Sequence, residues 1–354
     1  MKKIGREVLF LTAGEGNPRN GEGAFIRLSD GRILYAFTEY TGDNWEDHCS
    51  ASIAGIFSGD EGENWHGRKV LLKADAGASN YMSVSLQRMD NGDIGLFYLR
   101  KDKETGTCKL YLSRSCDEAD TWGSPVSCME EDGYFVVNND RVVRLRNGRF
   151  LVPAAQHAIL KKWERFGKGE LNFFASDDDG RTWSRLLDKN IHIPAEEKST
   201  TGLQEPGVFQ LENGDIWCWL RTGFGCQYEC FSKNNGADWS VPAPSEFFTS
   251  PASPMQVKQV GELVVSVFNP IPNYTTRDET NTWGRTPLVC AVSRDGGKSF
   301  SNLFYLEDDP KNGYCYPAIF EGTGYFLVAY YHSNNSGVCL NSTKIKKVLF
   351  KELA

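Results

Sequence analysis

Ser176-Asp-Asp-Asp179-Gly180-Arg-Thr182-Trp183 is a short stretch that reveals the architecture of the whole chain. Asp and Gly in this order close a tight turn. The carboxylate bonds backbone N–H groups, the glycine takes φ > 0, and the tryptophan folds back as a local plug. The pattern recurs as Ser58-Gly-Asp60-Glu-Gly62-Glu-Asn-Trp65 and Ser113-Arg-Ser-Cys-Asp117-Glu-Ala-Asp-Thr121-Trp122, then as Ser232-Lys-Asn-Asn-Gly236-Ala-Asp-Trp239 and Ser293-Arg-Asp295-Gly296-Gly297-Lys-Ser299-Phe300. The opening serines lie 55, 63, 56 and 61 residues apart. Recurrence at a nearly constant period marks a chain built from repeated supersecondary units.

Between these turns runs a second series. An apolar run, a polar-Gly turn and another apolar run occur around Asp30-Gly31, Asn91-Gly92, Asn147-Gly148 and Asn213-Gly214, and again around Gly261 and Gly322. Asn-Gly or Asp-Gly between alternating apolar runs signals a β-hairpin. Each period therefore holds two hairpins, or four antiparallel strands. The fold class is all-β: a six-bladed β-propeller of four-stranded antiparallel blades, in one domain over residues 1–354. In the sixth blade Ser333-Asn-Asn-Ser-Gly337 and Lys344–Phe350 join the N-terminal strand Glu7–Leu11, so that both termini close the ring.

Composition agrees and excludes other classes. Aromatic residues make up 12% and there are 35 glycines, which suits strands and turns. A net charge of −7 without a basic block argues against a nucleic-acid or anionic-membrane partner. Apolar runs such as Val8–Leu11 are too short for a membrane span or a signal peptide, so the expected location is cytoplasmic. The ten cysteines form no Cys-x-x-Cys pair and no Cys/His spacing suited to zinc; reduced thiols, no metal and no cofactor are expected.

If both turn series lie at one end of the blades, the first-strand starts, second-strand ends and third-strand starts share the other end. There fall Asn139, Asp140, Arg141, Glu205, Tyr314 and Tyr316, then Arg100, His157 and Arg221, then Asp47, His48 and Arg285. Such groups, gathered on loops of a rigid scaffold, mark a candidate site.

The repeated Ser-x-Asp-x-Gly-x-Thr-Trp turns resemble the Asp-boxes, or bacterial neuraminidase repeats, of the sialidase superfamily over essentially the whole chain. Gln204-Glu205-Pro206 followed by Trp219-Leu220-Arg221 resembles the family's glutamate and second arginine, and Arg285-Thr-Pro-Leu288 its third arginine. Gly313-Tyr314-Cys-Tyr316-Pro317 resembles the segment of the nucleophilic tyrosine, with Tyr314 at the matching step and Tyr316 as its rival. The family's first arginine has no counterpart in Asn20-Gly21-Glu22-Gly23, and only Arg19 lies near. Asp47 is best placed for the acid, while the Asn138–Arg141 segment and His157 depart from the ordinary pattern. The resemblance implies a retaining exo-α-sialidase-like glycoside hydrolase that releases a terminal acidic sugar.

Residue chemistry allows this. Arginine recognises a carboxylate bidentately, so Arg221 and Arg285, with Arg141 or Arg100 as a third, would clamp a sugar acid. Asn139, His48 and Tyr316 would add further substrate contacts. A phenol with a pKa of about 10 needs a nearby base, which Glu205 supplies for Tyr314. Being neutral, it avoids the repulsion that a carboxylate nucleophile would meet. Asp47 or Asp140 would protonate the leaving oxygen. The alternatives are a propeller lyase or uronate-type glycosidase using His157, His48 and Tyr316 as acid and base, and a non-catalytic propeller that binds acidic glycans.

Overall fold

The computed structural model describes residues 1–161, 164–165, 167–193, 199–273 and 278–353. The alternating apolar runs form antiparallel strands, grouped in units of four. The first unit is Asn20–Arg27, Ile33–Tyr40, Ala51–Ser58 and His66–Leu72, and the second is Ala78–Arg88, Ile94–Asp102, Cys108–Ser115 and Val126–Ser127. The third opens on two short pieces, Tyr134–Val136 and Val143–Arg144, before Phe150–His157, Glu170–Ser176 and Ser184–Arg185. The fourth is Gln204–Gln210, Ile216–Arg221, Cys226–Ser232 and Ala243–Thr249, and the fifth is Gln256–Val260, Leu263–Phe268, Leu288–Ser293 and Ser301–Glu307. In the last unit Tyr314–Gly322, Tyr325–His332 and Ser342–Leu349 are followed by Arg6–Leu11, which pairs with Ser342–Leu349 from the other end of the chain.

Burial follows from this stacking. The core divides into clusters that each join consecutive units: Leu34 and Ile53 meet Val84 and Leu96, Phe97 meets Phe150 and Trp183, and Leu171 meets Ile216. Trp217 and Trp219 pack with Val257 and Val289, and Val267 with Ile319. A further cluster places Phe25 and Trp65 of the first unit against Phe320 and Leu327 of the last. Four-stranded antiparallel sheets stacked in this way fit a β-propeller. Among the described residues no helix is long and apolar enough to cross a membrane.

The recurring turns are built as their residues require. Asp178 Oδ1 accepts from Ser176 Oγ at 2.8 Å and from the N–H groups of Arg181 and Thr182, while Thr182 Oγ1 donates to its other oxygen. Gly180 sits at φ +80°, and its carbonyl accepts from Trp183 Nε1 at 3.1 Å. In the second turn the opening serine is Ser115, not Ser113, because Ser115 Oγ bonds Asp117 and Ala119 N. The hairpin turns lie at the same end. Glu118 accepts from Ser29 N, Asp179 accepts from Asp90 N, and Arg149 reaches Asn235 O. Each recurring turn is thus seated beside the hairpin turn of the preceding unit, and Tyr325 of the last unit donates to Glu61 of the first.

Candidate active site

The first strands carry a repeated irregularity at the opposite end. Pairing slips between Gly21 and Ala24, Met82 and Ser85, Gln204 and Gly207, and Cys315 and Ala318. Inside each slip one residue adopts positive φ: Glu22 at 51°, Ser83 at 58°, Glu205 at 47° and Tyr316 at 55°. These are β-bulges, which re-aim a side chain out of the sheet's alternation. All four residues line one small cavity of about 30 Å³ with Asp47, Lys101, Tyr134 and Asn138.

The bulge also settles which tyrosine meets Glu205. Simple alternation would put residues 314, 316, 318 and 320 on one face. Instead Tyr314 packs in the core between the fifth and sixth units, edge-on to Tyr330 and His332, whereas Ala318 and Phe320 face the first unit. Tyr314, expected as the nucleophile, is therefore a core residue. Tyr316 is the bulged one, and its hydroxyl donates to Glu205 Oε1 at 2.7 Å. Asn139 steadies it, donating to Gly23 O at 3.0 Å and to Tyr316 O at 3.4 Å, which makes Asn139 a brace across the first strands.

Arg221 and Arg285 converge on the same pair. Arg221 Nη1 lies 2.7 Å from Glu205 Oε1, and the Arg285 guanidinium lies 5.6 Å from the Tyr316 ring centre. Burial alone would raise the Glu205 carboxyl, but Arg221 and then Arg285 outweigh it and hold the group below its ordinary value. Burial, reinforced by the Glu205 charge, pushes the Tyr316 phenol well above its ordinary value. The proton therefore rests on the phenol, aimed at an ionised base. Glu205 Oε2, Asn138 Nδ2, Arg221 Nε and Arg285 Nε are buried without a hydrogen-bond partner among the described residues. Buried groups left unpaired are costly, so their gathering in one place points to a ligand.

Other predicted residues are placed differently. Arg100 is spent on Asp75 at 2.9 and 3.1 Å and on Asp102 at 2.9 Å. Asp140 accepts from Lys258 Nζ at 2.9 Å and from Gln256 Nε2 at 3.0 Å, while Arg141 donates to Gln256 and to Met255 O under the Trp219 ring. Both belong to a larger cavity of about 560 Å³ toward the turn-bearing end. Its other cations are also engaged, Arg144 by Asp90 and Asp179, and Arg146 by Leu211 O and Glu212 O. Size favours that cavity, where Arg141 Nε is also unpaired; the phenol–carboxylate contact and the larger gathering of unpaired polar atoms favour the smaller one. His157 lies outside the small cavity's lining, with Nδ1 3.3 Å from Gly167 O and its ring edge-on to Tyr134. His48 is half exposed beside Glu46.

Arg19, the residue nearest to the absent first arginine, is only 1% exposed and fully engaged. Its Nε donates to Tyr331 Oη at 2.8 Å, Nη1 to Asp47 at 2.7 Å, and Nη2 to Glu22. Glu22, Ser83, Lys101 and Asn138 also line the cavity, and neither Glu22 nor Lys101 belongs to the rim that the sequence predicts. Glu22, Ser83 and Glu205 share one sequence signal, each lying six residues before Leu28, Met89 and Leu211 at the ends of the runs before their turns.

A model of the BNR repeat-like domain matches residues 21–328. The chain belongs to the BNR repeat-like family. This BNR repeat-like protein is 22% identical over 181 residues to the anhydrosialidase of Macrobdella decora, a match that takes in 49% of the chain and 22% of that relative. The chain thus spans about a fifth of the relative's length. Its structure is similar to the Hadza microbial sialidase Hz136, with a TM-score of 0.72 at 14% identity over 95% of this chain and 66% of that one. It is also similar to a leech intramolecular trans-sialidase complexed with 2,7-anhydro-Neu5Ac, with a TM-score of 0.72 at 16% identity over 100% of this chain and 71% of the other. A Dyadobacter fermentans protein of unknown function gives 0.71 at 16% identity, covering 97% and 99%. Together these place the BNR repeat-like protein in the sialidase/BNR superfamily.

Proposed function

We propose that this chain, a single six-bladed propeller over residues 1–354, is a sialidase-type glycoside hydrolase that releases a terminal acidic sugar with retention of configuration. The observation that carries the reading is the Tyr316 hydroxyl donating to Glu205 at 2.7 Å, with Arg221 on the same carboxylate. The names of the structural neighbours support the substrate class, since the leech enzyme holds 2,7-anhydro-Neu5Ac and a Ruminococcus gnavus intramolecular trans-sialidase holds oseltamivir carboxylate.

In this mechanism the sugar carboxylate lies against Arg285 and Arg221, and burial of Arg285 makes its charge effective. Tyr316 Oη attacks the anomeric carbon and gives its proton to Glu205 as the bond to the leaving oxygen breaks. Water then releases the sugar and the phenol recovers its proton. A neutral nucleophile lowers the repulsion that an anionic substrate would feel. Should a substrate hydroxyl replace the water, the product would be an anhydro sugar, lighter than the free acid by one water. Mass spectrometry of the product distinguishes the two.

The test uses 4-methylumbelliferyl glycosides of sialic acid and of uronic acids with the wild-type chain, Glu205→Gln and Tyr316→Phe. Release of the acidic sugar by the wild type, reduced by about 10³-fold or more in both variants, is the expected result. Turnover of neither class by the wild type, or wild-type rates in both variants, would contradict it.

A further inference from the structure

The larger cavity, of about 560 Å³, takes no part in the proposed reaction and shares no lining residue with the smaller one. The first strands of the second to fifth units surround it, and Val143, Val208, Phe209 and Val257 supply an apolar wall. Four cations and two carboxylates line it, in a chain whose net charge is −7. Two of the cations are matched, Arg144 by Asp90 and Asp179, and Lys258 by Asp140 at 2.9 Å. Arg146 bonds Gln210 Oε1 and the carbonyls of Leu211 and Glu212, and pairs with no carboxylate among the described residues.

Arg141 is the most buried cation there, at 2% exposure. Its Nη1 donates to Gln256 Oε1 and its Nη2 to Met255 O, while Nε has no hydrogen-bond partner among the described residues. The neighbouring acid is committed elsewhere, because the Asp140 oxygens accept from Lys258 Nζ, Gln256 Nε2 and Ile319 N. Burial lowers the Arg141 guanidinium from 12.5 to about 10 against the pull of Asp140, so it keeps its charge at neutral pH.

A buried cation with no carboxylate partner is costly, and so is a buried donor left unpaired. One anion at Arg141 Nε answers both. We propose that this cavity is a second binding site, which takes a small organic acid with its carboxylate at Arg141 and its apolar body against Val143, Val208 and Phe209. The volume lies within the range of small-ligand sites, whose walls are mostly apolar and whose few polar groups fix orientation. An inorganic anion would leave the apolar wall facing water, and a neutral ligand would leave Arg141 without a counter-charge. Binding here needs no turnover, so it is measurable whether or not the chain cleaves a glycoside.

The probe is 4-phenylbutyrate, titrated into the whole chain by calorimetry beside its neutral counterpart 4-phenylbutyramide and inorganic phosphate. The wild type is expected to bind one equivalent of phenylbutyrate with a Kd below about 1 mM, and the amide and phosphate about tenfold more weakly or worse. Arg141→Met is expected to weaken phenylbutyrate binding by about tenfold or more. Should that variant fail to fold, Val143→Trp fills the cavity from a half-buried position, leaves the guanidinium in place, and is expected to cause the same loss. Arg285→Lys, beside Tyr316, is expected to leave the affinity within about twofold. No saturable binding by the wild type up to about 10 mM, an amide or phosphate affinity equal to that of the acid, or full affinity in Arg141→Met or Val143→Trp would overturn the proposal. A loss confined to Arg285→Lys would overturn it as well, by placing the acid beside Tyr316 instead.

Discussion

The two ends of this molecule use the same side chains in opposite ways. At the turn-bearing end Asp178 lies at the surface, and all its partners stand within four residues, so the turn that it closes also satisfies it. At the cavity end Glu205 is buried, its phenol partner lies 111 residues away, and its second oxygen has none among the described residues. The first kind of carboxylate is satisfied by folding alone. The second keeps an unpaired buried oxygen, and this contrast is the one that the proposed function turns on.

Substitutions at the two ends should therefore affect different observables. Tyr316→Phe should lower turnover by about 10³-fold or more with unchanged denaturant stability, whereas Tyr314→Phe should leave kcat within about threefold, because its ring packs in the core. Arg285→Lys keeps the charge but loses the planar fork, and kcat/KM for the acidic sugar should fall by about 10–10²-fold, read from initial rates. At the other end Gly180→Ala should cost about 2–4 kcal/mol in urea unfolding without altering turnover per folded molecule. Gly180 needs φ +80°, and an added Cβ would meet Leu112 Cδ2 at 2.8 Å.

The smallest effect concerns acid. The Asp117, Asp178 and Asp295 carboxyls are held down from 3.8 to about 2, mainly by the Thr or Ser hydroxyl and N–H groups of their own turns. A depressed folded pKa gives stability that is present above pH 3.8 and is lost as the pH falls toward about 2. Asp178→Asn removes one such proton-linked contribution. In the fourth turn Asn234 already accepts from Ser232 Oγ and Asp238 N. Neutral stability should therefore change by less than about 0.5 kcal/mol. The slope of stability against pH between 4 and 2 should become shallower by about one proton.

The same contrast explains what could be read from the sequence. The recurring turns and Gly-centred hairpins are local, so their residues declare them, and the strand order follows. Ser115 was obscured only because Ser113 stands two residues earlier. Glu205, Arg221 and Arg285 were readable through their order along the chain. Tyr316 was not separable from Tyr314, because a bulge flips every following side chain and nothing in Tyr314-Cys-Tyr316-Pro317 announces where it falls. Arg100, Asp140 and Arg141 resemble site residues in sequence because charge at a strand end looks the same whether it binds a ligand or a neighbouring strand. Glu22 is not legible, because nothing in Asn20-Gly21-Glu22-Gly23 distinguishes a buried carboxylate from a turn residue.

The decisive measurement is to trap the covalent intermediate. Incubation with a fluorinated sialosyl fluoride, which forms the glycosyl-enzyme faster than water releases it, followed by peptide mass spectrometry, locates the attacking atom. A single sugar adduct on Tyr316, absent in Tyr316→Phe and slowed in Glu205→Gln, is the predicted result. An adduct on Tyr314, Glu205 or Glu22, or sugar release with no adduct on any residue, would contradict the account.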